Sequence, residues 1–230
     1  MPLALITGAS RGLGRALARA LAERNWSLVL DARGAEALDA VRRELPSAVA
    51  LAGDIADPRH REDLATAVSR AGRLDLLVNN ASHLGPSPQP ALAEYPIGEL
   101  ERVYQVDVLA PLALTQHVLP LMAERAAIVN VSSDAAVEAY EGWGGYGSAK
   151  AALDQLTAVL GAEHPALSVY AFDPGDMRTE MHQQAFPGED ISDRPEPETV
   201  VPALLRLVDE RPVSGRYRAS ELAAAVAGAR

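Results

Sequence analysis

The chain has 230 residues, 48% of them hydrophobic, which suffices for a compact domain burying roughly 70–75% of its unfolded surface and excludes a disordered chain. Its 21 basic against 31 acidic side chains give a formal charge of −10 with no basic block, which argues against nucleic-acid binding. No apolar run is long enough for a membrane span, and no charged leader precedes Gly8, so a cytoplasmic protein with no membrane partner is expected.

In chain order, short apolar runs predict strands at Leu3–Thr7, Ser27–Leu30, Ala48–Leu51, Leu74–Asn79, Ala127–Ser132 and Leu167–Phe172, with a weaker one at Gly215–Arg218. Amphipathic stretches between them predict helices at Gly14–Arg24, Ala35–Leu45, Pro58–Ala71, Glu99–Met122, Tyr146–Ala162 and Glu198–Asp209. This alternation is the mark of βαβ units and a parallel sheet. Two proline-rich stretches, 82–96 and 176–197, fit neither class and read as binding loops or lids. Absent cysteine excludes disulfides and thiolate metal sites, and no two histidines stand at a metal-ligand spacing, so no metal is expected.

Thr7-Gly8-Ala9-Ser10-Arg11-Gly12-Leu13-Gly14 follows the first strand and opens a helix. Glycines in that setting let the chain turn tightly and let a pyrophosphate reach backbone N–H groups at the helix start. The same residues match a G-x-S-x-G nucleophile elbow, which leaves a serine hydrolase acting through Ser10 as an alternative; an elbow after only one strand disfavours it. At the end of the second strand, Asp31 would hold a ribose hydroxyl and Arg33 a 2′-phosphate, so the strand's register decides. Arg11 and Arg33 together offer two guanidiniums to a phosphate, which favours NADP(H) over NAD(H).

Lysine occurs once, at Lys150, against 20 arginines. Tyr146 stands four residues earlier, on the same helical face, where an ammonium would pull the phenol's pKa down from about 10. Ser133, at the carboxyl end of a strand, is placed to donate to a substrate carbonyl.

These motifs together resemble the short-chain dehydrogenase/reductase family over nearly the whole chain. The match runs through Thr7 to Gly14, Asn79-Asn80-Ala81, Ser133, Tyr146-x-x-x-Lys150 and Pro174-Gly175-x-x-x-Thr179. The resemblance implies an α/β fold, a Rossmann-like doubly wound parallel sheet of six to seven strands, as one domain over 1–230 with a substrate lid at 176–197. It implies an NADPH-dependent reductase of ketones or α-dicarbonyls. Tyr146 would be the acid/base, Lys150 would tune it and bind the nicotinamide ribose, and Ser133 would position the carbonyl. Cofactor contacts would come from Gly8, Ser10, Arg11, Gly12, Leu13, Gly14, Arg33, Asp54, Ile55, Asn80, Ala81, Tyr146, Lys150, Pro174, Gly175, Met177 and Thr179. Arg33 falls where the family selects NADP, and Ala32 where NAD enzymes place an acid. Relatives pair through helices matching 99–122 and 146–162, so a homodimer or homotetramer is expected.

Three departures stand out. Ser82 replaces the glycine of Asn-Asn-Ala-Gly, Asp107 replaces the asparagine that completes the family's proton relay, and Ser220-Glu221-Leu222 with an alanine-rich tail replaces a glycine-rich end. Pro111 cannot donate a helical hydrogen bond to the carbonyl of Asp107, so that carbonyl stays free for a relay water and Asp107 keeps a catalytic part. His83, Tyr140, Trp143, Met181 and Phe186 are candidate substrate contacts, suited to a flat or aromatic ketone. The Gly-Trp-Gly-x-Tyr string is similar to the branch holding sepiapterin and benzil reductases, where Glu221 lies in rough register with a pterin anchor. A binding protein that senses NADP(H) without turnover is the remaining alternative.

Overall fold

The structure is a computed structural model and describes residues 1–227; the expected single domain to residue 230 ends on three positions outside the described residues. The first half alternates strictly: β1 (Leu3–Ile6), α1 (Gly12–Glu23), β2 (Ser27–Ala32), α2 (Ala35–Glu44), β3 (Val49–Ala52), α3 (Pro58–Ala71) and β4 (Leu74–Asn79). The second half runs α4 (Ile97–Tyr104), α5 (Ala110–Val118), β5 (Met122–Val131), α6 (Gly144–Glu163), β6 (Ser168–Asp173), α7 (Glu180–Ala185), α8 (Val201–Glu210), β7 (Gly215–Arg218) and α9 (Ala219–Ala227). All seven strands pair in parallel, in the order β3-β2-β1-β4-β5-β6-β7.

Strand periodicity sorts the core into two layers. Ala4 and Ile6 of β1 face α1, α2 and α8, while Leu3 and Leu5 face α3 and α5. Helices therefore cover both faces, as a parallel sheet requires. Local chemistry agrees with the boundaries: Asp57 caps α3 by accepting from the Arg59 N–H at 3.0 Å, and Pro58 supplies a fixed first turn.

The strand order reverses between β1 and β4, so the connections leaving their carboxyl ends run to opposite sides and open a crevice. Thr7 and Asn80 leave the strands there and knit the rim, with the Thr7 N–H donating to the Val78 carbonyl at 3.0 Å.

One predicted element is overturned. Residues 99–122 are not a single helix, because Gln105–Leu109 form a π-turn between α4 and α5 and Met122 already starts β5. In the wide turn the Ala110 N–H reaches back five residues to Gln105, directly before Pro111, whose ring cannot join an ordinary helical ladder. The 82–96 stretch keeps only one short 3-10 turn at Leu92–Glu94, and 176–197 contains the capped helix α7.

Candidate active site

The carboxyl ends of the central strands open onto a cleft of about 610 Å³, walled by residues from both halves of the sheet. Gly8 has φ +65°, and a Cβ there would sit 2.8 Å from the Asn80 side-chain nitrogen. Asn80 uses that nitrogen to donate to the carbonyls of Thr7 and Gly8, at 2.9 and 3.1 Å. A Cβ on Gly14 would lie 2.5 Å from the Gly8 carbonyl oxygen, so the turn folds onto its own helix only with glycine there. Gly8, Ser10, Arg11, Gly12 and Leu13 line the cleft; Gly14 lies behind, holding the turn's shape. Ile55, Asn80, Ala81, Pro174, Gly175, Met177 and Thr179 complete this part of the wall. A cradle that a Cβ would fill, at the start of a helix, fits a dinucleotide pyrophosphate.

Both candidates at the end of β2 line the cleft, and they differ in exposure and in partner. Asp31 projects toward α3, is 1% exposed, and bonds the His60 ring at 2.6 Å. Arg33 is exposed on the cleft wall. Asp54 is there too, its Oδ1 accepting from the Ala56 N–H at 2.9 Å and its Oδ2 paired with Arg102. Burial opposes the charge of Asp54, but these bonds outweigh it and hold its pKa below the ordinary carboxylate range. Burial pushes Asp31 up despite His60, and the hydrogen bond to Asp31 pushes His60 up despite its burial. Nothing in the local sequence singles out His60. His60→Ala strands a buried carboxylate and is expected to cost about 3 kcal/mol in urea unfolding. Because the folded pKa of His60 is raised, its share is complete below about pH 6.5 and is lost as pH rises through the folded value. The wild type should therefore exceed the variant most in weakly acidic buffer; equal midpoints there would refute the pairing.

Tyr146 and Lys150 occupy one face of α6, with Lys150 Nζ 5.3 Å from the Tyr146 ring centroid, and both line the cleft. Lys150 is 2% exposed and donates to the Val131 carbonyl at 3.0 Å, which fixes the ammonium at the end of β5. Gly147 lets α6 approach the turn carrying Ser133, since a Cβ there would meet the Ala135 carbonyl oxygen at 2.6 Å. Ser133 lines the cleft, its hydroxyl accepting from the Ala135 N–H at 3.2 Å and donating to Asp134 at 3.0 Å.

Asp107 does not line the cleft. It is buried behind Lys150, with its Oδ2 3.6 Å from Nζ and 2.7 Å from the Ser82 hydroxyl, while its Oδ1 accepts from the His83 N–H at 2.7 Å. The expected lowering of the Tyr146 pKa is not found: burial pushes the phenol up, Lys150 pulls it down, and the charge of Asp107 pushes it up again, for a net rise. Burial alone would lower Lys150, but the facing Tyr146 and Asp107 charges carry it upward.

Of the substrate candidates, His83, Trp143 and Met181 line the cleft. Tyr140 does not: it is 47% exposed on the outer surface, its hydroxyl donating to Asp134 at 3.1 Å. Phe186 packs behind the wall, its ring centroid 5.8 Å from Trp143 and 4.8 Å from His182. Both miss because composition does not encode which way a loop side chain faces. Glu221 is exposed on α9, away from the cleft. Across the mouth, Arg11 of the glycine turn pairs with Glu180 of α7, and Thr179 caps that helix by accepting from the His182 N–H at 3.1 Å. The hydrolase alternative lacks a base, since among the described residues neither cleft histidine, His83 or His182, hydrogen-bonds Ser10; His182 faces Asp176 instead.

Comparison with known proteins bears on this arrangement. The short chain dehydrogenase family model matches residues 2–190. This chain belongs to the short-chain dehydrogenase family. It is 32% identical to mouse (Mus musculus) sepiapterin reductase over 199 residues, 79% of this chain and 76% of that protein. It is 35% identical to serine 3-dehydrogenase from Agrobacterium fabrum over 183 residues, 77% of this chain and 72% of that one. Among solved structures it resembles a short chain dehydrogenase from Pseudomonas syringae, with TM-score 0.89, 33% identity and 94% and 93% of the two chains covered. It also resembles a short chain dehydrogenase from Shigella flexneri complexed with NADP, with TM-score 0.87, 28% identity and 95% and 97% covered.

This short-chain dehydrogenase also holds its site through a residue the motifs do not contain. Arg216 of β7 donates to the Ser133 carbonyl at 2.8 Å and to Asp173 at 3.0 Å, while its Nε bonds Asp154 of α6 at 2.9 Å. One guanidinium thus ties the serine turn, the end of β6 and the lysine helix together. Its only sequence signal was an arginine in the last strand. Among the described residues no helix is long and apolar enough to cross a membrane, and no cluster of metal-ligating side chains occurs.

Proposed function

We propose that the protein is an NADPH-dependent carbonyl reductase, with a ketone or α-dicarbonyl as substrate and Tyr146 as proton donor. The observation that carries this reading is the convergence of Tyr146, Lys150 and Ser133 on the cleft that the glycine turn opens at the sheet's switch point. A reduced nicotinamide, when bound, supplies hydride. This chain's own residues do the rest: Ser133 donates to the carbonyl oxygen, and Tyr146 passes its phenolic proton to the alkoxide that forms there. The Lys150 ammonium, pinned by the Val131 carbonyl, stabilises the phenolate that remains. Trp143 and Met181 offer an apolar wall that suits a flat carbonyl compound, with residues 176–197 as its lid. The relative named sepiapterin reductase supports a reductase.

The preference for NADP rests on Arg33 facing the cleft while Asp31 is bound to His60, and the NADP-complexed neighbour supports it. Two measurements test the reading. NADPH oxidation is expected with aryl ketones or vicinal diketones, and its absence across such a series would leave only a cofactor-binding role. Arg33→Ser is expected to raise the KM for NADPH by roughly 10- to 100-fold, the worth of a charge-assisted phosphate contact, with little change for NADH. An equal change for both cofactors would refute the phosphate assignment.

A further inference from the structure

Two groups have no part in the mechanism above: the half-buried Ser82 hydroxyl, which lines the cleft, and the buried Asp107 carboxylate behind it. They are in contact, although 25 residues separate them, and each is a departure from the family pattern. Asp107 is fully buried, on the π-turn, and receives two hydrogen bonds of 2.7 Å, from the Ser82 hydroxyl and the His83 N–H. Those bonds aim Oδ2 at Lys150 Nζ, 3.6 Å away. A carboxylate shut away from water is costly unless paired and hydrogen-bonded, and this one is both.

The consequence lies one group further on. A lone ammonium beside a phenol stabilises the phenolate. Here the ammonium lies 5.3 Å from the Tyr146 ring centroid and 3.6 Å from Asp107 Oδ2, so the carboxylate offsets part of its field at the phenol. The other charges facing Tyr146 and Lys150 differ in strength. Asp134, on the turn after β5, opposes the phenolate more weakly, and the Ser82 hydroxyl, after β4, favours it. Asp154 of α6 faces Lys150 but is spent on Arg216. The His83 imidazole is held toward its neutral form by burial, against the pull of Asp107.

We propose that Ser82 and Asp107 form a positioning unit that counters Lys150, keeps Tyr146 in its proton-donating form, and so favours carbonyl reduction over alcohol oxidation. In reduction the Tyr146 O–H bond breaks as the product O–H forms, and the phenolate recovers a proton from solvent. In oxidation Tyr146 must begin as phenolate and take the alcohol's proton. The unit sets the pH at which each direction runs fastest and leaves the equilibrium untouched. The directional half rests on the reductase reading; the electrostatic half does not.

The test separates the two. Phenolate ultraviolet absorbance is titrated in the cofactor-free protein, with the same protein carrying Tyr146→Phe subtracted. Asp107→Asn is expected to move the Tyr146 midpoint down by about one pH unit or more. In a Ser82→Ala background the same substitution should move it less, because the carboxylate is no longer aimed at Lys150. The pH profiles should follow, with the rise of alcohol oxidation and the fall of carbonyl reduction both moving down in pH with the midpoint. An unmoved midpoint in folded Asp107→Asn, or in Asp107→Ser if the amide variant does not fold, overturns the proposal. A lowered midpoint with unshifted pH–rate profiles overturns the directional half and leaves the reductase reading standing. No turnover by the wild type with any carbonyl compound removes the reductase reading and the directional half with it.

Discussion

Replacing Tyr146 with phenylalanine is expected to lower carbonyl reduction by roughly 10²- to 10⁴-fold, the usual worth of a positioned general acid. The substitution is clean because it removes one oxygen and keeps the ring. That ring packs edge-on against Trp143, with centroids 5.9 Å apart, and belongs to a small cluster with Leu84 and Ala135. Phenylalanine preserves these contacts, so the cofactor should bind nearly as before. Steady-state NADPH oxidation gives the first quantity, and a fluorescence titration with NADPH gives the second. Turnover within a few-fold of the wild type would remove Tyr146 from the mechanism. Lost cofactor affinity would show instead that the phenol helps hold the dinucleotide.

Lys150→Met is expected to be the most destabilising of these substitutions, at about 3–5 kcal/mol, because it takes from the buried Asp107, which desolvation already holds above the ordinary carboxylate range, the cation that most favours its charge. Methionine fills similar space, so lost packing contributes little. Adding Asp107→Asn to that variant removes the stranded charge and should restore much of the stability while activity stays low. Urea unfolding of the single and double variants checks this. A single variant as stable as the wild type would mean that the Ser82 and His83 hydrogen bonds alone satisfy the carboxylate.

Local patterns made the sheet legible. All seven predicted strands are present, because a parallel strand buried on both faces is an uninterrupted apolar run between turn residues. Residues 99–122 misled because a π-turn keeps nearly the same apolar periodicity as a helix, so only Pro111 marked the break. The early start of β5 was hidden by Met122–Arg125, which pairs with β4 across a register shift and includes Arg125 at φ +60°. Within the site, residues whose roles depend on spacing along one element were readable, as with Tyr146 and Lys150. Contacts between elements were not. His60 lies 29 residues from Asp31, and Asp107 lies 25 from Ser82, and neither member of either pair announces its partner. Considered singly, Ser82 and Asp107 look like two independent losses; together they make one new contact.

The glycine turn has a further consequence for how the chain becomes competent. Its eight residues look self-contained, yet its floor is Asn80 and its rim is tied to Val78, more than seventy positions away. A ribosome that has released only the first seventy residues has made the entire glycine string and its bond to the Asp31 carbonyl, but neither Asn80 nor Val78. Joining β1 to β4 closes a long loop, a slow and entropically expensive step in folding. Nucleotide capture should therefore appear late and all at once during refolding, coincident with the pairing of those two strands.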